Sequence, residues 1–148
     1  MKCKDLNLIR QSKAQYCRFI DTKQWEAFGR LLVPDARVRI VGPASGTIAA
    51  FDRSADFVKS AMDFIGAGQS IHQIHNEEFE LISGEEVSAI WSMEDYIVFP
   101  DAPSGALTSV HGYGHYFETW HKNRDKWQII SLELKRSILE LSHGSEST

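Results

Sequence analysis

One carboxylate interrupts an otherwise apolar face in the longest predicted strand. The odd positions from Val87 to Phe99 are apolar except for Asp95, and alternate residues of a strand share one face. Burial of an unpaired carboxylate is costly, so Asp95 needs a hydrogen-bond donor, a cation or a wet cavity. The alternative is a bulge after Met93 that turns Asp95 to solvent. Asp95 is therefore a candidate site residue.

A cation ends the apolar face of the last predicted strand. Ile130, Leu132, Leu134 and Arg136 alternate along it and are expected on one face. Arg136 then either pairs with a buried acid or holds an anionic group of a substrate. A position at the sheet rim, with the guanidinium reaching water, is the structural alternative.

A histidine pair lies in the strand predicted over residues 70–75. His72 and His75 are three residues apart, so they point to opposite faces and do not bind one metal ion together. Only one of them can face a given pocket. An imidazole is suited to proton transfer at neutral pH, but the spacing leaves His72 open as either a site residue or a structural histidine.

The end of the first predicted helix carries a phenol and a carboxylate. Tyr16 and Asp21 are five residues apart, about 140° around a continuous helix, so they converge only if the helix breaks between them. Residues 21–24 have the form of a capping box, which provides such a break but makes Asp21 a simple N-cap. Tyr16 is a hydrogen-bond donor for a site or a core aromatic. Lys13 alone interrupts the apolar stripe of this helix.

A G-x-G run at residues 112–114 resembles a dinucleotide motif only superficially. It lacks the third glycine and opens no helix, so we expect the glycines to bend a strand instead. Alternate residues form two faces, one with Tyr113, His115 and Phe117 and the other with Gly112, Gly114, Tyr116 and Glu118. The sequence leaves open which face is inside.

Helical patterns precede strand patterns along the chain. Helices are predicted over residues 5–20, from Trp25 to Pro34, and from Ser54 to the glycines at 66–68, with a short strand at 37–40. Strands are predicted over residues 70–75, 77–82, 87–99, 110–121 and 126–136. This order is typical of an α+β fold in which a curved antiparallel sheet packs on helices and can enclose a pocket. We expect one domain over residues 1–141 and a disordered polar tail over 142–148.

Composition narrows the class of protein. The 148 residues carry 16 Lys and Arg against 20 Asp and Glu, a net charge of −4 without a basic cluster, which argues against nucleic-acid binding. No segment approaches the apolar length of a membrane helix. Cys3 and Cys17 are too few for a disulfide framework, so we expect reduced thiols and a cytoplasmic protein.

Six segments together resemble the SnoaL-like family of the NTF2-like superfamily. They are residues 16–25, 34–36, 71–75, 91–95, 112–116 and 127–136. Within the superfamily the arrangement is similar to that of bile-acid 7α-dehydratase and scytalone dehydratase. The resemblance implies a cone-shaped α+β barrel, a curved antiparallel sheet wrapped around N-terminal helices, with a deep apolar pocket.

The resemblance also implies catalytic roles for Tyr16, Asp21, His72, Asp95 and Arg136. His72 is expected to act as general base, with Asp21 or Asp95 on its far nitrogen, and Tyr16 to donate a hydrogen bond to the enolate or the departing oxygen. No cofactor and no metal are expected.

The expected activity is that of a cofactor-independent dehydratase acting on a hydrophobic polycyclic or aromatic carbonyl compound. A double-bond isomerase or a cyclase of natural-product biosynthesis would use the same residues, and a non-catalytic small-molecule binder is a third possibility. We expect a homodimer or homotrimer that binds no nucleic acid and no membrane.

Overall fold

Three helices pack against a curved six-stranded sheet in the computed structural model, which describes residues 3–145. The helices are α1 (Cys3–Asp21), α2 (Trp25–Gly29) and α3 (Ser54–Ile65). The strands are β1 (Leu32–Val41), β2 (Thr47–Phe51), β3 (Gln69–Ser83), β4 (Glu86–Val98), β5 (Leu107–Asn123) and β6 (Lys126–His143). The predicted α+β class is confirmed.

The strands follow the order β2-β1-β6-β5-β4-β3. Strands β3 to β6 form an antiparallel meander, β2 pairs antiparallel to β1, and β1 pairs parallel to β6. Strand β1, the first strand in the chain, is thereby hydrogen-bonded to β6, the last one. The helices bury the inner face of this sheet, where most of the core lies.

The predicted alternation along β4 is confirmed. Its odd positions are buried, and Asp95 among them is only 2% exposed. The pairing of β4 with β5 runs from Glu86 to Val98 without a register shift. The predicted alternative of a bulge after Met93 is therefore wrong, and Asp95 points inward.

In β6 the predicted face is displaced at one end by a bulge. Trp120 of β5 pairs with Ile129, whereas Thr119 pairs with Ser131, so Ile130 is the extra residue. Ile129 is fully buried in its place. Beyond the bulge Leu132 and Leu134 are buried as expected.

The N-terminal boundaries differ from the predicted ones. Helix α2 ends at Gly29, and Leu32 already begins β1. Pro34 lies inside β1, where the pairing with β6 is irregular between Leu32 and Arg37, so its missing N–H breaks no ladder bond there. The edge strand β2 was not predicted.

Two predicted strands form the single strand β3. Asn76 adopts a positive φ of 48° at the point where the β3–β4 register shifts, and this bulge produces the apparent gap in the pattern.

The last strand extends past the predicted domain boundary at residue 141. Strand β6 continues to His143, with Ser142 paired to Ser109 and His143 to Leu107. Gly144 and Ser145 follow the strand, and the last three residues of the predicted tail, 146–148, lie outside the described residues. Within residues 3–145 no helix has the length and apolarity needed to cross a membrane.

Candidate active site

A cavity of about 360 Å³ lies between the helices and the inner face of the sheet. Most of its wall is apolar, with Ile20, Phe57, Ile97, Val110 and Leu134 among its members. Four predicted site residues line it: Tyr16, His72, Asp95 and Arg136. The structure thus brings together side chains from α1, β3, β4 and β6.

Asp21 contacts the ring of His72 from outside the cavity lining. Its Oδ1 lies 2.7 Å from His72 Nδ1, and Oδ1 also accepts a hydrogen bond from Ser70 Oγ at 2.9 Å. Oδ2 accepts the backbone N–H of His72 at 2.8 Å. An ionised carboxylate only accepts hydrogen bonds, so it places the imidazole proton on Nδ1 and leaves Nε2 as the proton acceptor.

The relation between Tyr16 and Asp21 differs from both predictions. Helix α1 continues through Asp21, so there is no break, and Gln24 precedes α2 without a side-chain cap. The two residues keep their wide angular separation: Tyr16 faces the cavity, while Asp21 turns toward β3. The N-cap interpretation of Asp21 is therefore wrong, and Asp21 is not among the residues that line the cavity.

Asp95 and Arg136 form a bidentate pair. Arg136 Nη1 and Nη2 donate to the two carboxylate oxygens of Asp95 at 2.8 and 2.7 Å. Of the predicted alternatives for Arg136, the structure shows the buried acid as its partner. Burial lowers the pKa of Arg136, but the hydrogen bonds and charge of Asp95 outweigh it and raise that pKa. His72 Nε2 lies 3.8 Å from Asp95 Oδ2, beyond hydrogen-bond distance, so Asp21 is the hydrogen-bonded partner of His72.

Gly112 makes room for this pair. It lies directly opposite Asp95 in the β4–β5 register, and a Cβ atom on it would overlap Arg136 Nη1 and Asp95 Oδ1. The face with the glycines is thus the inner one. The G-x-G run was the only sequence signal of this role.

Tyr116 is a further candidate site residue, which was not singled out from the sequence. It lines the cavity with Tyr16, and their ring centroids are 5.7 Å apart at an interplanar angle of 74°. Burial raises the pKa of both phenols well above 10.0, the ordinary value, and the charge of Glu118 acts in the same direction on Tyr16. Both therefore remain protonated hydrogen-bond donors at neutral pH.

A buried ion pair lies beneath the two tyrosines. Lys13 and Glu118 are in contact, and both side chains have no solvent exposure. The other carboxylate oxygen of Glu118, Oε2, accepts the indole N–H groups of Trp91 and Trp120, each at 2.8 Å. The sequence signal was Lys13 itself, the polar residue within an apolar stripe.

Metal-ligating side chains are not clustered in the part of the chain that the structure describes: no group of three or more His, Cys, Asp or Glu residues could hold an ion there. The absence of a cofactor stays a prediction.

Solved structures with the same fold have little sequence identity to this chain. The crystal structure of a hexachlorocyclohexane dehydrochlorinase, LinA type 2, superposes with a TM-score of 0.78 over 98% of this chain and 93% of its own, at 14% identity. The beta subunit of the benzoate 1,2-dioxygenase of Burkholderia mallei gives a TM-score of 0.74 over 92% and 93% of the two chains, at 16% identity. The fold is thus of the NTF2-like class, as the sequence analysis expected.

Sequence comparison identifies the family. Residues 2–133 match the SnoaL-like domain. A protein of Gibberella zeae named "Probable cyclase FGR4" is 32% identical over an alignment of 142 positions, which covers 90% of this chain and 92% of that protein. The chain belongs to the SnoaL-like family, and the predicted family is confirmed.

Proposed function

We propose that this protein is a cofactor-independent dehydratase in which His72 removes a proton next to a carbonyl group of a hydrophobic polycyclic or aromatic substrate. The observation that carries the proposal is the Asp21–His72 hydrogen bond of 2.7 Å, which leaves Nε2 of a cavity-lining imidazole free to accept a proton. Asp21 is itself held by Ser70 and the His72 backbone, so the base is preorganised.

The reaction then uses the remaining polar groups of the cavity. As Nε2 takes the proton, charge develops on the carbonyl oxygen, and the Tyr16 hydroxyl donates a hydrogen bond to it. The electron pair of the broken C–H bond forms a double bond while the C–O bond of a neighbouring hydroxyl breaks. The leaving oxygen receives the proton from His72 and departs as water, which returns His72 to its starting form.

The charges of the cavity favour an uncharged substrate. Both Nη atoms of Arg136 are engaged by Asp95, so the pair is neutral as a whole. The rest of the wall is largely apolar, and an apolar wall favours a hydrophobic ligand. Asp95 lies near Nε2 and would stabilise the imidazolium formed during the reaction.

A cyclase is the second candidate, and the same base serves it. The relative from Gibberella zeae is named a probable cyclase, and proton removal next to a carbonyl also begins ring closure or movement of a double bond. The two candidates differ in the product alone. A non-catalytic binder differs from both because it needs no free Nε2.

Exchange of carbon-bound hydrogen tests the base before the substrate is known. We would incubate the protein in D₂O with neutral fused-ring ketones, such as 1-tetralone, and follow deuterium uptake next to the carbonyl by mass spectrometry. We expect His72→Gln to lower the catalysed exchange by about 10²–10⁴-fold, the usual effect of a positioned base.

His75→Gln is the matched control because His75 is exposed on the same strand; its exchange rate should equal that of the wild type. Equal rates for His72→Gln and the wild type, with ligand binding retained, would favour the binder. Fused-ring β-hydroxyketones then separate the enzymes, since a dehydratase converts them into conjugated enones with a new ultraviolet absorption band.

A further inference from the structure

The buried cation of Lys13 touches both tyrosines of the cavity. Its Nζ lies 3.6 Å from the ring centroid of Tyr16 and 3.6 Å from that of Tyr116, which is within the range of cation–π attraction. Lys13 precedes Tyr16 by three residues on α1, so the two side chains share one helix face. Through these two cation–π contacts, Lys13 therefore holds both tyrosine rings in place.

The counter-ion is placed on the other side of the lysine. Glu118 contacts Lys13 through Oε1, and its Oε2 is held by two indole N–H groups. The ion pair thus forms a fixed dipole whose positive end contacts the tyrosine rings. Because both side chains are fully buried, such a dipole keeps its orientation and is weakly screened.

We propose that Lys13 is a positioning residue of the active site, which holds Tyr16 and Tyr116 and, as the charge in contact with both rings, strengthens them as donors to a negatively charged oxygen against the opposing charge of Glu118. Glu118 serves as its buried counter-ion. The inference rests on the proposed function, because that function assigns Tyr16 to an oxyanion. A buried ion pair can often be replaced by uncharged residues without loss of stability, so a need for stability does not by itself account for the pair.

Ionisation of a bound phenolic ligand measures this effect without any reaction. The probes are 2-naphthol and ring-substituted 2-naphthols of increasing acidity, whose anions absorb at longer wavelength than the neutral forms. When a naphthol ionises in the cavity, its oxygen keeps the negative charge and His72 Nε2 takes the proton. The absorption spectrum of the saturated complex gives the ratio of ionised to neutral ligand.

The test variant removes both charges together, as Lys13→Met with Glu118→Gln. We expect the ratio of ionised to neutral bound naphthol to fall at least about tenfold, the effect of losing a preorganised charge, with little change in affinity for the neutral form. The control is Lys59→Met with Asp63→Asn, which removes an exposed ion pair of 2.6 Å on α3 and should leave the ratio unchanged.

Tyr16→Phe separates the two proposals. If this variant leaves the ratio unchanged, Tyr16 is not the donor and the proposed function fails at that residue. If it lowers the ratio but the Lys13/Glu118 variant, folded by circular dichroism, does not, the inference about Lys13 is overturned alone. Lys13→Gln with Glu118→Gln is the second neutral pair; failure of both pairs to fold counts against the inference, because the ions then serve the fold.

Discussion

Two aspartates near His72 take different partners, and their environments account for the difference. Asp21 accepts hydrogen bonds from Ser70 and from both the backbone and the ring of His72. Asp95 is neutralised by Arg136. Both oxygens of Asp95 already accept hydrogen bonds from the guanidinium, so Asp95 is a weaker hydrogen-bond acceptor for the imidazole. We therefore infer that Asp21 orients His72.

This assignment predicts unequal effects of two conservative substitutions. Asp21→Asn presents an amide to Nδ1, which permits the tautomer with the proton on Nε2 and removes the base; we expect a loss of about 10²–10⁴-fold in catalysed hydrogen exchange. Asp95→Asn should cost less. The rates of both variants in the D₂O assay check the order.

Combination with His72→Ala shows whether Asp21 acts through His72. Asp21→Asn and His72→Ala remove the same base, so the double variant should lose no more than His72→Ala does. Multiplying losses would contradict the assignment and give Asp21 a role in the fold alone.

Two glycines on the inner face of β5 leave room for groups of the neighbouring strands. The two glycines meet different neighbours: a Cβ at Gly112 would overlap the Asp95–Arg136 pair, whereas a Cβ at Gly114 would overlap the backbone carbonyl of Lys135 in β6. Gly114 also adjoins the register shift that separates Tyr113–Ile138 from Gly114–Arg136. One glycine serves the site and the other serves the sheet.

The pair predicts distinct outcomes for two alanine substitutions. Gly114→Ala should lower the free energy of unfolding by about 1–3 kcal/mol, because the backbone of β6 cannot move aside without strain. Gly112→Ala should instead displace side chains, and so reduce ligand affinity and hydrogen exchange more than stability. Chemical denaturation and the D₂O assay on both variants measure the two effects.

Gly84→Ala is the control for these substitutions, since a Cβ there meets nothing within 4 Å. It should leave stability and exchange unchanged. A Gly112→Ala variant with unaltered exchange would show that the Asp95–Arg136 geometry is unimportant for the base.

The fold as a whole encloses several ionisable groups in their uncharged forms. Burial raises the pKa of the Cys17 thiol from 9.0 to about 11, with the cation of Lys13 opposing the shift. The phenols of Tyr16 and Tyr116 are shifted upward for the same reason. All three groups link folding to alkaline pH with the same sign.

We therefore expect the free energy of unfolding to fall above pH 9. The unfolded thiol releases its proton near its ordinary pKa of 9.0 while the native thiol holds it up to about 11, so the unfolded state binds fewer protons in this window and is favoured as pH rises. One such group contributes at most about 1.4 kcal/mol per pH unit. Urea denaturation at successive pH values measures the slope.

Cys17→Ala should reduce the slope between pH 9 and 10, below the ordinary pKa of 10.0 of the tyrosines. Cys3→Ala is the matched control, because Cys3 is exposed, and it should preserve the slope. An unchanged slope in Cys17→Ala would show that the thiol is not buried in its protonated form.

The local periodicity of the sequence determined which residues of several helices and strands are buried. The alternation in β4 placed Asp95 on the buried face, and the apolar stripe of α1 set which side of that helix packs inward, because neighbouring residues of a regular element have fixed directions. The resemblance of six segments to the SnoaL-like family added Tyr16, Asp21, His72 and Arg136 as site residues and the NTF2-like fold. The family and the fold are confirmed, while the catalytic roles stay predictions.

The tertiary structure decided which side chains interact with each other. The choice of Asp21 over Asp95 for His72, the bulge at Ile130, the inward direction of Gly112 and the meeting of Lys13 with Glu118 all depend on contacts between residues far apart in the chain. Strand register and helix packing are set by the summed burial of many side chains, so no short stretch of sequence contains them. A polar residue within an apolar stripe indicates that it has a buried partner, but only the tertiary structure shows which residue that partner is.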